Sequence, residues 1–249
     1  TTSPTLMIES LFLSCVMDAY EQRDVATIDI PSAFMQAFID ELVHIKFDDE
    51  IIDLLCDVDP SLKQYVTYEN GKRVLYTRLN KALYGTLQAS RLFWERLSSF
   101  LIDMNGFERN PYDSCVVNKV VNGKQLTIVW YVDDLKISHE DSNVVTDVIE
   151  ILKAEFGKQS ALTVRRGKIH DYLGIKFDFS KAGKVVMTMA DYISELIEET
   201  PDDLFKGTPT SPAGNYLMNV NPDCKRLDSE TAVMYHHLTV KLLYLAKRV

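Results

Sequence analysis

The chain has 249 residues, a net charge of −9, 46% apolar side chains and four scattered cysteines. That apolar content supports a core and excludes disorder, no run of about eighteen apolar residues is present to span a bilayer, and the lack of a C-x-x-C pair speaks for a reduced, intracellular protein without a zinc site. Residues 1–60 hold thirteen acidic and two basic side chains, against 23 and 25 in the remainder, so the acidity is local and does not exclude a polyanionic partner for the rest.

Ser3-Pro4 followed by Leu6, Ile8, Leu11, Phe12, Val16, Met17 and Tyr20 predicts a helix capped by Ser3. Val25 to Ile30 reads as a short buried strand ended by Pro31, Ser32 to Phe38 as a helical turn, and Leu42 to Phe47 as a half-buried strand. Residues 48–63 form an acidic amphipathic insert, and Asn70-Gly71 turns a hairpin between Tyr65–Tyr68 and Arg73–Tyr76. Leu83-Tyr84-Gly85-Thr86 leads into a helix from about Gln88 to Met104, with Leu92, Phe93, Leu97, Phe100 and Leu101 as its apolar stripe. A second hairpin turns at Asn122-Gly123 between Cys115-Val116-Val117 and Thr127–Trp130. Ser142 caps a helix ended by Gly157. Strand-like pieces follow at 162–164, 172–177 and 185–188, then a helix over 191–199. Residues 206–228, rich in Pro, Gly, Asn and Asp, read as a linker, and a last helix starts near Ser229. The sequence opens on Thr and closes in mid-helix by pattern, so it is read as a piece of a longer polypeptide.

Within Trp130-Tyr131-Val132-Asp133-Asp134-Leu135, two acids sit side by side at the end of a strand. Buried there, each must be solvated, paired or matched by a cation. The bare pair is equally compatible with a solvated turn. The order β-α-β-β-α, with further strands after it, is close to a split βαβ (ferredoxin-like) arrangement, an α+β antiparallel sheet with helices on one face. In such a sheet the strand over 25–30 lies beside the hairpin and brings Asp29 to Asp133 and Asp134. Three carboxylates make a hard all-oxygen site suited to Mg²⁺ or Mn²⁺, and two such ions can drive in-line displacement at phosphorus.

Tyr131-Val132-Asp133-Asp134 resembles the Y-x-D-D box of reverse transcriptases, and Thr27-Ile28-Asp29-Ile30-Pro31-Ser32-Ala33-Phe34 resembles their first carboxylate motif. Leu83-Tyr84-Gly85-Thr86-Leu87-Gln88-Ala89-Ser90-Arg91 is similar to the L-Y-G-L-K-Q-A-P-R stretch of the copia-type retrotransposon family. Pro111-Tyr112-Asp113-Ser114-Cys115 also resembles that family, and Tyr172-Leu173-Gly174-Ile175 its F-L-G-I primer-grip segment. The motifs occur in family order and cover nearly the whole chain. Thr86, Leu87 and Ser90 depart from the family's Leu, Lys and Pro, which removes one positive charge, and Pro31 is unusual in its motif.

The resemblance implies a right-hand polymerase palm over residues 1–205, with partial fingers at about 48–80 and a primer-grip region at about 161–188. Residues 206–228 would link it to a truncated connection segment over 229–249. Asp29, Asp133 and Asp134 would be catalytic, holding two Mg²⁺ (or Mn²⁺) ions with the carbonyl of Ile30. Phe34, Tyr84 and Gly85 would bind the nucleotide, and Phe34 would crowd a 2′-hydroxyl. Tyr131, Val132, Leu173, Gly174 and Arg91 would meet primer or template, although Arg91 could instead pair with Glu95 at i,i+4. Implied partners are an RNA template, a DNA primer, dNTP, and the upstream fingers and downstream RNase H of one polyprotein. The implied setting is cytoplasmic, including virus-like particles, with no membrane. Two other readings stay open: a nucleotidyl cyclase or similar two-metal palm, and an inactive remnant that binds nucleic acid.

Overall fold

The computed structural model of the chain describes residues 3–201, 222–223 and 225–248. These divide into two compact units, residues 1–170 with 179–185, and residues 171–178 with 186–249.

In the first unit, α1 (Ile8–Tyr20) precedes β1 (Asp24–Asp29), and a single 3-10 turn (Ala33–Gln36) follows. Next come β2 (His44–Asp48), α2 (Asp49–Val58), β3 (Thr67–Glu69) and β4 (Lys72–Arg78). Then α3 (Ala89–Ser99), β5 (Glu108–Arg109), β6 (Val116–Val121), β7 (Lys124–Tyr131), β8 (Asp134–His139), α4 (Ser142–Phe156) and β9 (Thr163–Arg166) complete the main body. The main sheet has six strands in the order β5-β6-β7-β8-β1-β9. Its ladders are antiparallel. Thus β1 lies against the later hairpin, as the sequence predicts. The acidic insert is mostly helical, forming α2, while the segments on either side of it make a separate three-stranded sheet, β2-β4-β3, and α2 closes a small core of Ile52, Cys56 and Leu75. Arg73 clamps α2 to that sheet through Asp49 and Asp53, at 2.9 and 2.6 Å.

The helix ends differ from expectation because their caps come from elsewhere. α1 starts at Ile8, and the N–H of Met7 before it is taken by the Asp113 carboxylate at 2.9 Å, 106 positions away. Ser3 instead donates to the Ser90 carbonyl at 3.2 Å. Asp141, not Ser142, caps α4 by accepting from the Asn143 N–H. The predicted helix to Met104 is helical to Ser99 and then widens into a π turn over Phe100–Met104.

The sheet is apolar on both faces in its middle, so both must be covered. α4 contacts β8 and β1, and α3 meets α4 through edge-on contacts of Phe93 and Phe100 with Phe156. Helices were expected on one face only. α1 covers the opposite face: its Asp18 pairs with Lys136, while Arg166, in register with Ala26 and hence on the Ile137 face, bonds to the Ser142 carbonyl and the Thr146 hydroxyl of α4.

Lys136 is a charged residue in the middle of β8, yet its side chain is 2% exposed and that of Asp18 is sealed entirely. Burial alone would push the Lys136 ammonium pKa down; the Asp18 carboxylate and Cys15 together more than reverse this, and the net direction is up. Arg23 lies 3.8 Å from Asp18 and donates to Thr127 at 3.0 Å, tying α1 to β7.

β10 (Ile169–Tyr172) runs out of the first unit into the second, where the Leu173-Gly174 turn leads into β11 (Ile175–Asp178), paired with β12 (Val186–Thr188). α5 (Ala190–Glu199) and α6 (Ser229–Ala246) follow. Of the expected linker, residues 206–221 and 224 lie outside the described residues. Among the described residues no helix is long and apolar enough to cross a membrane.

Removing one partner of a buried ion pair leaves an uncompensated charge, whereas replacing both with apolar side chains is often tolerated. Lys136→Ala is therefore expected to cost about 3–5 kcal/mol in urea unfolding, and Asp18→Leu/Lys136→Met to recover most of that loss.

Candidate active site

Asp29, the last residue of β1, stands directly across the ladder from Asp134, the first residue of β8. Asp134 is also opposite Tyr131, the last residue of β7, so Val132-Asp133 is a two-residue hairpin turn. The N–H of Ile30 donates to the Asp133 carbonyl at 3.1 Å. Asp29 and Asp134 are thereby a non-hydrogen-bonded pair, the closer kind, with Cα atoms about 4.5 Å apart and side chains on one face.

Val132 takes a φ of +57°. A β-branched residue in that region is strained by roughly 1–2 kcal/mol. The ladders on either side of the turn hold it there. The turn sets Asp133 at the sheet end, partly exposed, as are Asp29 and Asp134.

The acids share an electric field. Burial raises the Asp133 pKa and the charge of Asp29 adds to the rise, against a backbone hydrogen bond that lowers it. Burial, then the charges of Asp133 and Asp29, push Asp134 up to about 6, with Arg165 opposing. Tyr84 is raised too, mainly by burial and then by the charges of Asp133 and Asp29. Its ring lies 4.3 Å from that of Phe34, and Phe34 packs on Ala37, Ala82, Ala89 and Leu92.

Among the described residues no three His, Cys, Asp or Glu side chains are gathered tightly enough to hold a metal ion. The donor set nevertheless fits one: hard oxygen donors whose mutual repulsion a divalent cation would relieve.

The remaining predicted residues fall in several places. Ile30 is fully buried behind Asp29. Tyr131 and Val132 border the acids within the hairpin, and Gly85 lies in the turn before α3. Arg91 is held by Asp40 and Glu95, both at 2.7 Å, the surface pairing that its spacing allowed. Leu173 and Gly174 lie in the second unit. The sequence offers Arg165, in the basic run Arg165-Arg166-Gly167-Lys168, as a contact to template–primer phosphate or as part of a solvated turn. β9 sets it opposite Thr27 on β1, where its charge reaches Asp134; only the register reveals this. The neighbouring Arg166 is engaged by Asp24 and by Thr146.

With this geometry in hand, the sequence profile of the reverse transcriptase (RNA-dependent DNA polymerase) family matches residues 1–204, and the chain belongs to that family. It is 27% identical over 228 residues to the Ty1-DR5 and Ty1-LR2 transposon Gag-Pol polyproteins of Saccharomyces cerevisiae, an alignment covering 90% of this chain and 12% of each relative. The chain thus spans about an eighth of the length of these relatives. Solved structures of telomerase from Candida albicans (TM-score 0.39, 11% identity, 74% of this chain and 35% of that one) and Candida tropicalis (0.40, 9%, 75% and 41%) are also similar.

Because the folded state holds the Asp134 proton more tightly than an ordinary carboxylate does, this group's contribution to stability falls as pH rises toward about 6. In metal-free buffer, Asp134→Asn is therefore expected to raise the melting temperature at neutral pH, with the gain shrinking below about pH 4. Differential scanning fluorimetry across pH measures both.

Proposed function

We propose that this chain is the palm of a copia-type retrotransposon reverse transcriptase, built on a split βαβ plan, and that it transfers a deoxynucleotidyl group to a primer 3′-hydroxyl with release of pyrophosphate. The carrying observation is the register that sets Asp29 opposite Asp134, with Asp133 in the adjoining turn. Family membership and the Gag-Pol relatives favour this reading over a cyclase or an inert remnant.

Asp29, Asp133 and Asp134, with the Ile30 carbonyl, would hold two Mg²⁺ ions. When bound, such ions lower the pKa of an attacking hydroxyl and stabilise a leaving pyrophosphate. The chain's own part is positioning. The hairpin presents Tyr131 and Val132 to the primer terminus beside the acids. Phe34, braced by Tyr84 and the alanine cluster, sits under the incoming sugar and leaves no room for a 2′-hydroxyl. The partners are an RNA template, a DNA primer and dNTP, with fingers and RNase H segments of the same polyprotein.

Primer extension by the full chain on an RNA template with dNTP and Mg²⁺ tests this. Asp133→Asn is expected to lower kcat by on the order of 10³, since a ligand to the reacting centre is worth several kcal/mol. Extension that survives the change removes the mechanism. Phe34→Val is expected to raise ribonucleotide incorporation relative to deoxynucleotide at least about tenfold in kcat/KM, measured by competition between the two nucleotides.

A further inference from the structure

The turn between β10 and β11 is made by Leu173, at φ +51°, and Gly174, at φ +72°. A hairpin turn with both central residues at positive φ favours Asn-Gly, and leucine in the first place is strained. The restraint comes from α6. The Tyr244 hydroxyl donates to the Leu173 carbonyl at 2.7 Å. A Cβ on Gly174 would lie 2.9 Å from that hydroxyl oxygen and 3.3 Å from the ring carbon beside it. The close approach that glycine permits here is therefore made by Tyr244.

The phenol is itself held from two sides. Tyr192 of α5 packs against it with ring centroids 5.2 Å apart, and the Tyr192 hydroxyl donates to the Lys241 carbonyl of α6 at 3.2 Å. The Arg248 guanidinium lies 3.4 Å over the Tyr244 ring and donates to the Tyr244 carbonyl at 3.1 Å. A tyrosine of α5 and a stacked cation thus hold the Tyr244 ring, and its hydroxyl grips a carbonyl of a turn that its own sequence does not favour.

We propose that Tyr244 is a positioning residue for the primer strand, latching the Leu173-Gly174 turn into its strained shape; this rests on the reading that the turn meets the primer backbone. The latch acts through backbone geometry. Losing it frees the turn to visit other conformations, and primer binding then selects from a smaller fraction of the population.

Tyr244→Phe keeps the ring, the Tyr192 packing and the Arg248 stack, and removes only the hydroxyl. In the full chain it is expected to raise the primer–template Kd about three- to tenfold, the worth of one hydrogen bond. KM for dNTP should stay unchanged, and the melting temperature should fall by no more than about 4 °C. Leu173→Glu, which sets a carboxylate on the turn where a phosphate backbone would lie, tests the underlying reading. Weaker primer binding with Leu173→Glu, together with wild-type binding with Tyr244→Phe, overturns the latch and leaves the reading standing. Wild-type binding with both variants removes the reading and the latch with it. A Tyr244→Phe defect that appears equally in KM for dNTP and in a larger loss of melting temperature marks a general structural role and also overturns the proposal.

Discussion

The hydrogen bond from the Ile30 N–H to the Asp133 carbonyl pins the end of one strand to the bend of a hairpin about a hundred residues later. Side chains alternate across a strand, so a slip of one residue in this ladder would send Asp29 to the opposite face from Asp134 and bring Ile30 into its place. The pairing that runs from Asp24 opposite His139 to Asp29 opposite Asp134 makes such a slip expensive. It would move Val25, Ala26 and Ile28, all buried, out of the cores they fill on either face. The carboxylate cluster is thus positioned by apolar residues that take no part in its chemistry.

Charge along β8 is graded with depth. Asp134, at its start, is partly exposed and repelled by two other acids; Lys136, two residues on along the same face, is sealed against Asp18. Arg165, from the strand on the far side of β1, is the cation whose charge is felt at Asp134. The chain's overall acidity does not bear on this cluster. Much of it sits in the insert, where Asp49 and Asp53 are spent on the Arg73 clamp.

Much of this architecture is legible in the sequence because it depends on local rules. Asn70-Gly71 and Asn122-Gly123 announce hairpins, and β-branched runs announce strands. The placement of Asp29 beside Asp133 and Asp134 follows from element order. What escaped depends on partners far off in sequence. Nothing near Met7 shows that Asp113 will take its N–H. Nothing in Leu135-Lys136-Ile137 shows that the lysine points inward, because a strand covered on both faces buries each residue whatever its alternation. The role of Gly174 looked like room for a ligand, and the residue that fills the space is seventy positions further on, in a helix the sequence marks only as apolar.

The Lys136–Asp18 pair spans 118 positions of sequence and admits no single-step replacement that leaves its surroundings neutral. Loss of the charge from either residue alone leaves the other poorly compensated beneath the sheet, so the two positions are expected to lose their charges together. The strand that begins with Asp134 is thereby tied to the first helix, and the two segments are expected to vary together.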